Sequence, residues 1–200
     1  MKNEDMRVTT IKRETKETQI ECTLNLDGSG ICAVQTGIPF FDHMMEAFTR
    51  HSLMDLGLTC HGDLEVDDHH SVEDCGIVIG QAIGKLLGDR AGITRFGDAI
   101  VPMDEALIMT AVDISGRGAL FFDVDMPIEV IGTFDTTLAK EFFIALATNA
   151  GITLHIRELA GENAHHIVEC TFKSVARALM MAVRIDPRHD GKVPSTKGVL

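Results

Sequence analysis

The pattern His-His-x-x-Glu occurs twice in this chain, as His69-His70-Ser71-Val72-Glu73 and as His165-His166-Ile167-Val168-Glu169. Two copies of one motif call for two equivalent structural units, and few other features restrict the fold as much. On an α-helix, residues i and i+4 stack on one face, so His69 converges with Glu73 and His165 with Glu169. The second histidine of each pair, His70 or His166, points roughly 100° further round and serves a different place. Two such helices can therefore complete two metal sites. Each site would take a His and a Glu from one copy and the remaining His from the other. Taken singly, an i,i+4 His/Glu pair is an ordinary helix-surface pair worth about 0.2–0.5 kcal/mol. Two copies in a chain with 9 histidines favour a paired metal site.

The rest of the chain repeats around the motif. Strands are expected over 7–14, 18–26 and 31–36, with the Asp27-Gly28-Ser29-Gly30 turn between the second and third. Pro39 opens an amphipathic helix to about Arg50, with Phe40, Met44, Ala47 and Phe48 at helical spacing. A short strand within 53–64 leads to the first motif helix, which runs to about Leu87 and stops at Gly88. The second half follows the same order: strands over 96–101, 105–114 and 119–125, a helix over 136–149, a strand over 152–159, and the second motif helix to about Val183. The fold class expected is α+β, a tandem duplication of a β-β-β-α-β-α half with helices packed between or against two mixed sheets. The halves span 1–93 and 94–185 of one compact domain, and 186–200 form an irregular tail rich in Pro, Gly and charge. Aligning the halves backwards from the motif puts His43 and Glu141 at matching places near the start of the preceding helix. Alone, Glu141 reads as a solvated charge; paired with His43 it becomes a candidate ligand.

Composition narrows the function classes. A 45% hydrophobic content supplies a sizeable core, and no apolar run nears the roughly 20 residues of a membrane span. The charged start, Met-Lys-Asn-Glu-Asp-Met-Arg, has no apolar stretch of the kind a secretion signal needs. A net charge of −12 argues against a nucleic-acid partner. The 5 cysteines form no Cys-x-x-Cys pair, as expected of free thiols in a reducing cytoplasm, so any metal is held by nitrogen and oxygen. Pro194-Ser-Thr-Lys-Gly198 lacks the glycine spacing of a P-loop.

Four motifs in order now carry a resemblance. Phe-Phe-Asp-His43-Met, Asp67-Asp68-His69-His70-x-x-Glu73-Asp74, Gly161-Glu-Asn-x-His165-His166-x-x-Glu169 and Pro194-Ser-Thr-Lys-Gly198 are together similar to the imidazoleglycerol-phosphate dehydratase family. The likeness covers nearly the whole chain, from Arg13-Glu-Thr-Lys-Glu17-Thr onward. It implies a hydro-lyase of histidine biosynthesis in the cytoplasm, with two Mn²⁺ per active site. It also implies a homo-oligomer of 24 subunits whose sites form between subunits. One ion would be held by His43, His70, His165 and Glu169, the other by His69, Glu73, Glu141 and His166, a division in keeping with the helix geometry above. Glu141 stands where some members have His, which leaves metal binding intact and bears on affinity and metal preference. The length leaves no room for the phosphatase domain fused to this enzyme in some organisms, so a single activity is expected.

The implied reaction dehydrates imidazole glycerol phosphate to imidazole acetol phosphate. The proton to be lost is not acidic, so the imidazole ring must push out the hydroxyl. A ring held as imidazolate would pass through a diazafulvene-like intermediate to an enol and then the ketone, with the ions as Lewis acids and template. The candidate catalytic carboxylates are Glu17, Glu73 and Glu169; Glu17 is the expected base, since a carboxylate on a metal is weaker. The resemblance assigns substrate and phosphate contacts to Glu17, His43, Arg95, Arg117, Ser195, Thr196 and Lys197, types suited to phosphate oxygens. The tail is expected to close over the substrate. His51, His61, His155 and His189 read as structural or solvent-facing. Two rivals stay open at this point: a binuclear metal phosphoesterase, and a non-catalytic cage whose ions hold subunits together.

Overall fold

The structure, a computed structural model, describes residues 6–200; the charged start read above lies largely outside them. Period-2 alternation builds the first sheet from β1 (Val8–Glu14), β2 (Thr18–Asn25), β3 (Cys32–Gln35) and β4 (Asp55–Gly62), in the order β1-β2-β4-β3. Along β2, Thr18, Ile20, Cys22 and Leu24 face inward and the residues between them face out. β1, β2 and β4 are antiparallel neighbours, whereas β3 lies parallel to β4 and reaches it through α1 (Pro39–Ser52). The chain then enters α2 (His69–Leu87).

The second half reproduces this wiring. β5 (Phe96–Met103), β6 (Ala106–Asp113), β7 (Ala119–Asp123) and β10 (Thr153–Ala160) form a sheet in the order β5-β6-β10-β7, with β7 parallel to β10 and joined to it through α3 (Leu138–Ala150). The last helix is α4 (Ala164–Val183). A two-stranded hairpin, β8 (Val130–Ile131) with β9 (Phe134–Asp135), interrupts the repeat before α3. The alternation pattern did not indicate it, since two-residue strands carry no period. The expected helix over 136–149 begins later, at Leu138, because Thr136 is buried in the hairpin and its hydroxyl donates to the Pro127 carbonyl.

Helices pair across the halves. α1 lies along α4 in the same direction: His43 near its start faces His165 and Glu169, and Ser52 at its end shares a groove with Met180. α2 lies along α3 on a seam of small residues, Gly76, Gly80 and Gly84, at helical spacing. A Cβ on Gly80 would sit 2.7 Å from the Leu146 carbonyl oxygen, and one on Gly84 3.3 Å from that of Asn149. Phe41 of α1 packs edge-on against Phe142 of α3 with ring centroids 5.5 Å apart, and Phe134 of the hairpin stacks on Phe41. These contacts gather the N-termini of all four helices at one end and merge both halves into one apolar core. Among the described residues no helix is long and apolar enough to cross a membrane.

Gly80→Ala is expected to lower unfolding free energy by about 1–3 kcal/mol despite the better helix propensity of alanine, because backbone oxygen cannot yield as a side chain can. Gly84→Ala should cost less. Chemical denaturation reads both, and equal losses would remove the seam as the cause.

Candidate metal and active site

Three of the expected ligands meet within one chain. His43 from α1 and His165 and Glu169 from α4 present ligand atoms that all lie within 4.8 Å of one another. Glu169 Oε2 is 3.4 Å from His43 Nε2 and 3.2 Å from His165 Nε2. Donor atoms held at about 2.1 Å from a single ion stand roughly 3 Å apart, so this trio fits one divalent cation with nitrogen and oxygen ligands. Phe40 sets the floor: its ring lies 5.0 Å from that of His165. Glu169 is buried, which by itself raises its pKa, but the Lys173 ammonium at 2.6 Å from Oε1 outweighs this, helped by His43 and His165. The carboxylate is therefore held below its ordinary range, ionised and ready to ligate.

The equivalent place in the other half is looser. His69 Nε2 is 3.7 Å from Glu73 Oε2 across one turn of α2. Glu141 lies in the first turn of α3, the helix paired with α2, and is half-buried. Its carboxylate does not close onto His69 and Glu73 as His43 closes onto its pair. His70 and His166 stand apart from both groups, as their helical phase requires.

Each of these two histidines is braced by an acid that the sequence reading passed over. His70 Nδ1 lies 3.0 Å from Asp63 Oδ2, just past the end of β4, and His166 Nδ1 lies 2.8 Å from Glu105 Oε2, in the β5–β6 turn. A carboxylate on Nδ1 selects the tautomer with a free Nε2 and orients the ring, as supporting acids of metal-bound histidines do. The hydrogen bond to Asp63 pushes the His70 pKa up, and Glu105 does the same for His166. Glu105 itself is pulled down to about 2, chiefly by the Asn163 backbone N–H and by His166. A signal for Glu105 existed: it immediately precedes β6 as Glu17 immediately precedes β2. Asp63 carried none beyond its charge, and Lys173 only its i+4 spacing from Glu169. Glu17 is exposed at the β1–β2 turn, its Oε1 4.0 Å from His70 Nε2.

The expected phosphate contacts lie elsewhere. Arg95 is bound by Asp113 and donates to the Pro194 carbonyl at 2.8 Å, while its own N–H reaches the Ala182 carbonyl at the C-terminal end of α4. Arg117 is exposed in the neighbouring β6–β7 loop. Ser195 Oγ accepts from the Lys197 N–H within the tail, next to exposed Thr196. Arg90 anchors the chain end by donating to the Leu200 carbonyl. From His165 to Ala182 the helix extends ~25 Å. Arg95, Arg117 and the tail thus sit at the opposite end of the molecule from His43, His165 and Glu169. The tail therefore lies away from its own chain's histidine cluster. The 5 cysteines are free thiols, as expected.

The imidazoleglycerol-phosphate dehydratase family matches residues 36–179. Curated proteins of that name are 56% identical over 190 residues in Prochlorococcus marinus strain NATL1A (95% of this chain, 94% of that protein) and 57% identical over 195 residues in Roseobacter denitrificans (98% and 100%). The chain belongs to the imidazoleglycerol-phosphate dehydratase family. It is an enzyme, a hydro-lyase of histidine biosynthesis. Solved structures agree: the dehydratase of Staphylococcus aureus N315 superposes with a TM-score of 0.80 at 38% identity, over 90% of this chain and 99% of that one. The enzyme of Pyrococcus furiosus, solved in complex with (S)-C348, gives 0.82 at 39% identity, over 95% and 100%.

In the metal-free protein the His70 and His166 rings should titrate above the ordinary imidazole range. Asp63→Asn should bring His70 down without moving His166, and Glu105→Gln the converse, as read by NMR of the ring nitrogens. A raised folded-state pKa stabilises the protein only while the ring is protonated. The stabilisation from each pair is therefore fully present below the unfolded histidine pKa and is lost as pH rises through the folded one.

Proposed function

We propose that this chain converts imidazole glycerol phosphate to imidazole acetol phosphate on a pair of Mn²⁺ ions, in an active site completed by neighbouring copies of itself. The observation that carries the metal reading is the convergence of His43, His165 and Glu169 on one point. One ion would be held by these three with a His70, the other by His69, Glu73 and Glu141 with a His166. Because His70 and His166 point away from the groups of their own chain, other subunits must bring them. Bound there, the two ions would supply Lewis acidity and orientation to the substrate's ring.

The remaining steps belong to the side chains. Glu17 lies beside His70, its Oε1 4.0 Å from Nε2 and beyond hydrogen-bond reach, and would accept the carbon-bound proton while the ring expels the hydroxyl. Phe40 walls the His165 side of the site. Arg95, Arg117, Ser195, Thr196 and Lys197 of a neighbouring chain hold the phosphate. Arg95 stays aimed because Asp113 grips one edge of its guanidinium. The assembly we propose has 24 subunits and works in the cytoplasm. Relatives named for the dehydratase favour this reading over a phosphoesterase, and product analysis separates them: a phosphoesterase releases inorganic phosphate, whereas a dehydratase leaves it on the ketone.

With imidazole glycerol phosphate and Mn²⁺ the purified protein should yield the ketone, and Glu17→Gln should cut kcat by about 10²–10⁴-fold with metal content unchanged. The interface reading has its own test. A chain carrying His165→Ala with Glu169→Ala and a chain carrying Arg95→Ala with Arg117→Ala should each be inactive, and co-refolded mixtures should regain activity. Mixed particles that stay inert would exclude shared sites. Chelation should also shrink the particle if the ions bridge subunits.

A further inference from the structure

Glu17 rides on an exposed turn, yet its surroundings are unusually tied down. The hydroxyl of Thr15 accepts from the Glu17 N–H at 3.1 Å and the Thr18 N–H at 3.0 Å, and the Asp63 N–H donates to the Glu17 carbonyl at 3.1 Å. Behind the turn, Asp74 of α2 is 6% exposed and accepts from two side chains at once: the Arg13 guanidinium and the Thr18 hydroxyl. Arg13 stands near the end of β1 and Thr18 opens β2. One buried carboxylate thus grips both arms of the hairpin whose tip carries Glu17.

The second half of the molecule provides an internal control. Asp74 follows the motif glutamate directly, and Cys170 does so in the other copy. Arg13 pairs with Ile20 across its hairpin, and Val101 with Ile108 across the equivalent one; Thr18 opens β2 as Ala106 opens β6. At the three positions occupied by Arg13, Thr18 and Asp74, the second half therefore has Val101, Ala106 and Cys170, and the thiol simply donates to the Val101 carbonyl at 2.9 Å. The scaffold closes this corner without an ion pair. An ion pair whose carboxylate is buried is seldom a net stabiliser relative to apolar packing, since Asp74 loses its water and Arg13, half-buried, loses part of its own. Its presence in one half alone calls for a local reason, and the local difference is the group at the hairpin tip. In the second half that group is Glu105, its Oε2 held at 2.8 Å by His166 Nδ1; in the first it is Glu17, whose Oε1 stands 4.0 Å from His70 Nε2 and is not fixed by a hydrogen bond.

We infer that Asp74 is a positioning residue, clamping the β1–β2 hairpin through Arg13 and Thr18 so that the Glu17 carboxylate is held in place over the His70 side of the site. The inference rests on the reading of Glu17 as the base. It orders the turn before substrate arrives, so that proton removal needs no loop rearrangement.

The test uses the full-length, metal-loaded, assembled enzyme and follows kcat and KM for imidazole glycerol phosphate, with metal content and particle size in parallel. Thr18→Val removes only one hydroxyl and leaves the ion pair intact, so it guards against misfolding of Asp74→Asn. Both should lower kcat by roughly 10–100-fold while KM stays within about twofold. Thr18→Ser, which keeps the hydroxyl, should restore kcat. On a Glu17→Gln background Asp74→Asn should have no further effect, since the two act as one unit. A full additional loss on that background, or loss of metal or particle in Thr18→Val, would show the clamp acting through α2 and its ligands instead, and would overturn the inference. So would an unchanged kcat in Thr18→Val. Retention of kcat by Glu17→Gln alone would sink the base reading itself, and the single variant reveals that failure separately.

Discussion

The pairing of helices across the two halves is the constraint from which the site follows. Each sheet is covered by its own two helices, but each helix buries its other flank against a helix of the opposite half. α2 meets α3 through a glycine seam that brings backbone against backbone, and α1 meets α4 through a layer that includes Phe40 and His165. Because both pairs run in the same sense and are linked by Phe41, Phe134 and Phe142, all four N-termini emerge together. That end of the molecule carries the positive ends of four helix dipoles, which favour carboxylates and disfavour imidazolium. His70 and His166 offset this with Asp63 and Glu105, and Glu169 is kept ionised by Lys173. The donor set suits a divalent ion: imidazole nitrogens with carboxylate oxygens, braced from behind.

The same packing sends the cationic groups to the far end. Arg95 is fixed between Asp113 and the tail, at the C-terminal end of α4, a full helix length from His165. Within one subunit, donors for metal and donors for phosphate cannot meet on one small molecule. On the proposed reading this separation makes the oligomer a catalytic necessity, since each subunit would give its metal end to one site and its arginine end to another. It also gives the inward and outward histidines of each His-His pair distinct tasks.

Much of this was legible in the chain. The order of strands and helices was, because alternation and 3.6-residue periodicity mark each element and the two halves run in the same order. The convergence of His165 with Glu169 was, because it is local to one helix. The match of His43 with Glu141 was visible only through the repeat, and the halves turned out unequal: His43 closes on its partners, Glu141 does not. The β8–β9 hairpin was invisible because its strands are too short for a period. Asp63, Glu105, Lys173 and Asp74 were missed as partners for a shared reason: each acts on a residue brought close by folding, and a lone charge in sequence does not announce its counterpart. Even Lys173, four residues from Glu169, reads as an ordinary helix pair until the burial of Glu169 is known.

What the sequence determined by itself was the local chemistry: two helices with donors at i and i+4, a second histidine turned away on each, two hairpins with a glutamate at the tip, and an apolar pattern sufficient for one core. These follow from backbone geometry and side-chain type, which need no partner. Tertiary structure alone decided which donors share a point, which acids brace them, why one half carries a half-buried ion pair and the other a thiol, and that the arginines stand at the opposite end. Those outcomes depend on how helices of different halves pack, and packing is settled by the whole core.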